Sequence, residues 1–322
     1  MVQIPPSLFH ILRRDLNSNP EYLLKFLINE RSEFKEDFES TNSPRYFILQ
    51  NKTQHSFLLK IYNLYLIKNN MKEKNVKIAG MLLYVILASL LVYLIKPAYL
   101  YSILIVLVPP MIVNFLWLKK SRKKVLIFSI ALTLFFALAV ELVSRLADAW
   151  DVQSILPRIF GIMPLENILF AFINFFWVLS FYEYFIDRDT TKKISKKFKY
   201  LVGFLIVFST IIFSIYFLDP TFVAMNYVTV AIITLLVPSI IIYSRNLKLL
   251  KKTFVPVIFF SIIFFIYEIV SLLIGSWWWP GKYLVPINLF GNIFPIDDVI
   301  IWYFLSTITL IGGYEFFADD FK

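Results

Sequence analysis

The chain has 322 residues, 59% hydrophobic, 18% aromatic and 17% charged, and its mean hydropathy is +0.70. An ordinary soluble domain is roughly 45–50% apolar and about 25% charged, so this balance excludes a soluble enzyme and a disordered tail. The lack of cysteine excludes disulfide frameworks, thiolate metal sites and Cys nucleophiles. The net charge of +10 takes its meaning from where the bases fall.

Residues 1–76 read as a polar, mostly helical segment that holds both histidines, His10 and His55. Pro5, Pro6, Arg13 and Arg14 interrupt any signal-peptide core, so the N-terminus is expected to stay where it is made. A surface role suits the two histidines better than metal ligation. Asn51-Lys52-Thr53 fits the glycosylation pattern but is expected to face the cytoplasm.

From Lys77 onward, apolar runs fall at 77–95, 98–118, 124–147, 162–186, 200–218, 222–243, 253–275 and 294–317. Each is long enough to cross ~30 Å of hydrocarbon at about 1.5 Å per residue. The expected fold is therefore all-α: a polytopic membrane bundle of eight spans. The loops at 119–124, 188–199 and 245–252 hold five, six and four bases, while the alternate loops hold only Lys96, Arg158 and Lys282. By the positive-inside rule both termini are expected to be cytoplasmic and 148–161, 219–221 and 276–293 to face outward, with the plasma membrane as the expected location. Trp277, Trp278 and Trp279 are then expected in the outer aromatic belt. Bases scattered over short loops point to membrane lipid, not nucleic acid, as a partner.

The membrane part reads as a duplication. Glu141, Ser144, Leu146 and Trp150 match Glu268, Ser271, Leu273 and Trp277 at one offset. Leu107-Val108-Pro109 answers Leu236-Val237-Pro238, Pro164 and Glu166 answer Pro295 and Asp297, and the run from Tyr182 to Asp187 answers that from Tyr314 to Asp319. Offsets that drift in small steps mean short loop insertions between related halves. The expected domains are a cytoplasmic segment at 1–76, a membrane repeat at 77–199 and a second at 200–322. Four spans per half make the repeats parallel, about an axis near the membrane normal.

Seven acids lie inside or at the ends of spans: Glu141, Glu166, Glu183, Glu268, Asp297, Asp298 and Glu315. Each costs at least ~2.5–3.5 kcal/mol there, which makes it a functional candidate. Glu183 comes nineteen residues after Pro164, about 28 Å along a helix, and with Glu315 it reads as an anchor at the cytoplasmic surface. Glu141 and Glu268 lie deep in spans that begin at the cytoplasmic face, where desolvation favours a neutral acid. Arg145, one turn on, is placed to pair with Glu141, whereas Leu272 stands at the matching position beside Glu268. Glu268 is thus the better proton donor. Pro164-Leu165-Glu166-Asn167 and Pro295-Ile296-Asp297-Asp298 each open a span at the outer face, where proline and an early carboxylate suit a helix N-terminus.

The stretches GIMPLENILFAF at 161–172 and GNIFPIDDVIIWYF at 291–304, each preceded by an acid and a Trp, resemble the membrane lycopene cyclase domain of the heterodimeric-type carotenoid cyclases. That family carries a Pro-x-Glu-(Glu/Asp) motif in each half. The resemblance covers about 98–187 and 222–320; Asn167 stands where a second acid is usual, and Asp297 where Glu is. It implies an isomerase that cyclises an acyclic carotene end group by acid catalysis inside the membrane, with no redox change, cofactor or metal, on a hydrophobic polyene or isoprenoid lipid.

That chemistry needs apolar walls, aromatic faces to stabilise a cation and carboxyls in different settings to divide acid and base roles. Glu268 is the expected acid, Glu166 and Asp297 the stabilising anions or bases, and Glu141 and Asp298 the next candidates. The competing readings are a non-catalytic transporter or lipid-binding relative, in which midplane acids form a proton path, and a prenyltransferase-like enzyme. Against the latter, the nearest approaches to a diphosphate-binding acid pair are Glu183 with Asp187 and Glu315 with Asp319. The scattered glycines form no phosphate loop.

Overall fold

Leu, Ile, Val and Phe on every face of a run leave its backbone no partner in hydrocarbon except itself, so each run closes into a helix. In the computed structural model, which describes residues 72–222, 229, 231–319 and 321, the long helices are α1 (Lys72–Ile95), α2 (Tyr99–Trp117), α3 (Arg122–Leu146), α4 (Leu165–Ile186), α5 (Phe198–Leu218), α6 (Ile232–Arg245), α7 (Leu247–Leu273) and α8 (Ile300–Phe317). All but α6 are long and apolar enough to cross a membrane, and the chain is a membrane-spanning helical protein. The run at 222–243 is represented by α6, a shorter apolar helix; 223–228 and 230 lie outside the described residues. So do 1–71, with His10, His55 and Asn51-Lys52-Thr53.

Residues 79–322 form one compact unit. α4 packs against α2 and α3, α8 packs against α6 and α7, and α5 lies along α3. Only 11% of the apolar window of α5 is buried against 61% for α4 and α7, so α4 and α7 are central and α5 turns most of its surface outward. π-helical turns interrupt α3 at Leu132–Ala137 and lead into α8 at Val299–Leu305. Both lie close to the carboxyls described below, as such bulges often do at functional sites.

Short strands organise the loops at 151–164 and 277–295, which the all-α expectation did not include. β1 (Asp151–Val152) pairs with β4 (Trp277–Trp278), β2 (Arg158–Ile159) with β3 (Met163–Pro164), and β5 (Pro286–Leu289) with β6 (Asn292–Pro295), all antiparallel. The turns of the last two pairs place Phe160, Gly161, Phe290 and Gly291 at positive φ, the conformation of a type I′ hairpin. Each Pro-x-acid segment therefore closes a hairpin before its helix starts.

The β1–β4 pairing also changes the tryptophan expectation. Trp278 is partly exposed, but Trp279 is buried in a cluster with Trp150, Leu272 and Phe294, and Trp277 stacks on Trp150 at 6.4 Å. One of the three supposed belt residues is interior and Trp277 is half-buried, because pairing with β1 folds the strand across the bundle's end.

Candidate functional site

A cavity of about 620 Å³ lies among α3, α4, α5, α6, α7 and α8. Glu141, Trp150, Asn167, Glu268, Trp277, Trp279, Trp302 and Tyr303 line one end; Phe128, Tyr200, Gly313 and Phe317 line the other. From Phe128 to Glu141 is thirteen residues of α3, roughly 20 Å, so the space is elongated along the bundle. Its wall is mostly Phe, Leu, Ile, Val and Ala.

Glu141 and Glu268 are both buried and both face this one cavity. Glu141 Oε2 accepts from Trp150 Nε1 at 3.1 Å and Oε1 from Asn167 Nδ2 at 2.7 Å. Glu268 Oε1 accepts from Trp279 Nε1 at 2.9 Å, and its Oε2 is bonded to the Tyr303 hydroxyl. The tryptophan serving Glu268 is thus Trp279, not Trp277, since the β1–β4 pairing uses Trp277 as strand. Arg145 also departs from expectation. Its guanidinium bonds the Trp150 carbonyl and pairs with Asp151 at 2.9 Å, and among the described residues no ion pair joins it to Glu141. The helix end at Leu146 turns Arg145 toward the loop that follows.

The aromatic end is dense. Trp150 packs edge-on against Trp302 at 5.4 Å and Trp279 at 6.2 Å, and Phe170 stacks on Tyr267 at 5.9 Å. A cation formed here meets several ring faces.

Glu166 and Asp297 lie elsewhere. Glu166 is fully buried, yet its Oε1 accepts from the N–H groups of Ile155 and Leu156 at 2.7 Å each, and its Oε2 from Ser154 Oγ at 2.6 Å. It pins the loop before β2 and does not line the cavity. Asp297 does the corresponding work with the N–H of Leu284 at 3.1 Å. Asp298 closes the short helix Ile296–Asp298, and its side chain lies outside the described residues. Asn167, at the position in α4 that matches Asp298, donates to Glu141.

Glu183 and Glu315, read from the sequence as surface anchors, are both completely buried. Tyr182 Oη donates to Glu315 at 2.5 Å and Tyr314 Oη donates to Glu183, a reciprocal exchange between α4 and α8. Lys124 Nζ meets Glu183 at 2.8 Å, Asp319 at 2.5 Å and Thr191 at 2.9 Å. Lys252 Nζ meets Asp187 at 3.2 Å. Glu183, Asp187 and Asp319 bring ligand-type oxygens within 4.8 Å of one another, but the Lys124 ammonium already supplies a cation to two of them. The expectation failed because distance along α4 gives depth only, and the neighbouring helices cover these groups. The doubled Tyr-Glu…Asp pattern was the signal that they meet.

No family model, curated protein or solved structure matches this chain.

Proposed function

We propose that the chain is a membrane isomerase of the carotenoid cyclase type, acting on a hydrophobic polyene held in the cavity between two related halves. The observation that carries this reading is the pair Glu141 and Glu268, each buried, each bonded to a tryptophan, both at the aromatic end of one long apolar cavity. The largely apolar lining favours a lipid-soluble substrate over a transported polar solute. The halves are related as parallel four-span repeats. In support, Tyr182 with Glu183 and Tyr314 with Glu315 exchange bonds, Lys124 and Lys252 reach across to Asp319 and Asp187, and Asp151 pairs with Trp278 at the offset that relates Glu141 to Glu268. The count of eight spans takes the apolar run at 222–243 as one of them.

Donor chemistry divides the roles. Trp150 Nε1 and Asn167 Nδ2 only donate, so Glu141 faces two donors. A tyrosine hydroxyl donates or accepts, so the Glu268–Tyr303 pair accommodates a carboxyl proton. Glu268 gives that proton to a terminal alkene carbon, forming a C–H bond and a carbocation. A neighbouring double bond closes on the cation with a new C–C bond, the tryptophan faces stabilise the charge, and Glu141 removes a proton adjacent to the remaining cation. The product has the atoms of the substrate, and one proton returns from Glu141 to Glu268 before the next turnover. Glu166, bonded to three donors in its loop, serves the architecture of the site.

The test is expression in cells that accumulate an acyclic carotene, with chromatography of the pigments. Cyclised product is expected from the wild type and its loss from Glu268→Gln. No conversion of any acyclic carotene or acyclic carotenoid alcohol by the folded wild type would overturn the reading. The orientation, with both termini cytoplasmic, is tested by single cysteines at Ser195, Lys248 and Lys282: the first two are expected to label only from the cytoplasm, the third only from outside.

A further inference from the structure

Buried polar atoms in a membrane protein normally find partners within the protein. Four that have none among the described residues belong to residues lining the cavity: Asn167 Oδ1, Asn174 Oδ1, Trp277 Nε1 and Trp302 Nε1. Two are acceptors and two are donors. Three gather at the carboxyl end. Asn167 spends its amide N–H on Glu141, which leaves its oxygen, while Trp277 and Trp302 both pack against Trp150, the other partner of Glu141. Asn174 lies seven residues further along α4, two turns and roughly 10 Å deeper on the same face.

A purely hydrocarbon ligand drives water from these atoms and offers nothing in return, which opposes binding. A carbonyl or ether oxygen accepts from an indole N–H but leaves the amide oxygen unmatched. A hydroxyl does both, accepting from an indole and donating to the Asn167 oxygen. Resting on the polyene reading above, we propose that the natural ligand is an acyclic polyene alcohol, its hydroxyl held among Asn167, Trp277 and Trp302 and its chain running down the cavity past Asn174. The hydroxyl then fixes which double bond faces Glu268, since most of the remaining wall is aliphatic and aromatic and lets a chain slide.

The experiment titrates purified full-length protein in detergent with three probes of one acyclic polyene chain, bearing a terminal methyl, methyl ether or hydroxyl, and reads quenching of tryptophan emission. The alcohol is expected to bind roughly tenfold more tightly than the hydrocarbon, with the ether between them, as one or two net hydrogen bonds provide. Trp302→Phe and Trp277→Phe keep the ring and lose the N–H, and at least one is expected to cut the alcohol's advantage to about threefold or less. Detergent partitioning affects wild type and variants alike, so the change in preference carries the test if thermal melting shows the variants folded. Equal affinity of the wild type for alcohol and hydrocarbon would overturn the hydroxyl site and leave the polyene reading standing, as would a preference unchanged in both variants. Failure of all three probes to bind would overturn both.

Discussion

Glu141 in the first half of the membrane part and Glu268 in the second both face one cavity and both accept from an indole, yet their partners do not stand at matching positions. In the first half Glu141 meets an amide and an indole, both donors; in the second Glu268 meets an indole and a phenol. At the other end of the bundle Lys124 is fully buried with Glu183 and Asp319, while its counterpart Lys252 is about one-third exposed beside Asp187. Two carboxyls with unlike partners thus face one cavity. That is what a reaction needing a proton donor at one point and a proton acceptor at another requires.

The comparison breaks most sharply at the two glutamates. Glu268→Gln keeps shape and hydrogen bonding but removes the transferable proton, so conversion is expected to fall by roughly 10²- to 10⁴-fold while polyene binding, read by tryptophan quenching, is retained. Tyr303→Phe is expected to lower conversion less. A Glu268→Gln protein that melts normally and cyclises at the wild-type rate would remove the acid role. The asymmetry of the lysines predicts the next effect. Lys124→Met leaves buried carboxylates without their cation and is expected to cost about 3–5 kcal/mol, whereas Lys252→Met should cost at most about 1 kcal/mol. Unfolding of both in detergent and denaturant checks this, and equal losses would contradict the assigned difference in burial.

A smaller effect is expected at Glu166. Glu166→Ala leaves the N–H groups of Ile155 and Leu156 without their acceptor, at about 1–3 kcal/mol for each that stays dry, and should lower the melting temperature more than it changes the preference among polyene probes. The smallest lies outside the spans. Asp189 gathers the Ser121 hydroxyl and the N–H groups of Lys119, Lys120 and Ser121. Partial burial raises its pKa, but these bonds outweigh that and hold the carboxyl below the ordinary 3.8. A depressed folded value gives stability that is present above 3.8 and is lost as pH falls through the lower, folded value. Asp189→Asn, which tolerates the positive φ of 51° there, should flatten this acid limb in melting curves taken between about pH 5 and 2.

Hydropathy alone made the membrane-spanning helical class legible, because in hydrocarbon only helices and closed barrels satisfy the polar backbone, and unbroken apolar runs of this length suit a helix. The burial of Glu141 and Glu268 was legible too, since position along a span converts directly into depth. The doubling of Tyr-Glu…Asp and Glu…Trp was visible as well, though not what it does. Direction around each helix was not readable: Arg145 turns to Asp151, and Glu183 is covered by Lys124 and Tyr314. Nor were the partners that loops supply, where β1–β4 pairing gives Glu268 to Trp279 and a loop claims Glu166. Sequence fixes local period and depth through the helix rise and the cost of charge in lipid. Only the tertiary structure decides which donor meets which carboxyl, because that depends on how loops and neighbouring helices come together, as when Asn167 reaches Glu141 from another helix.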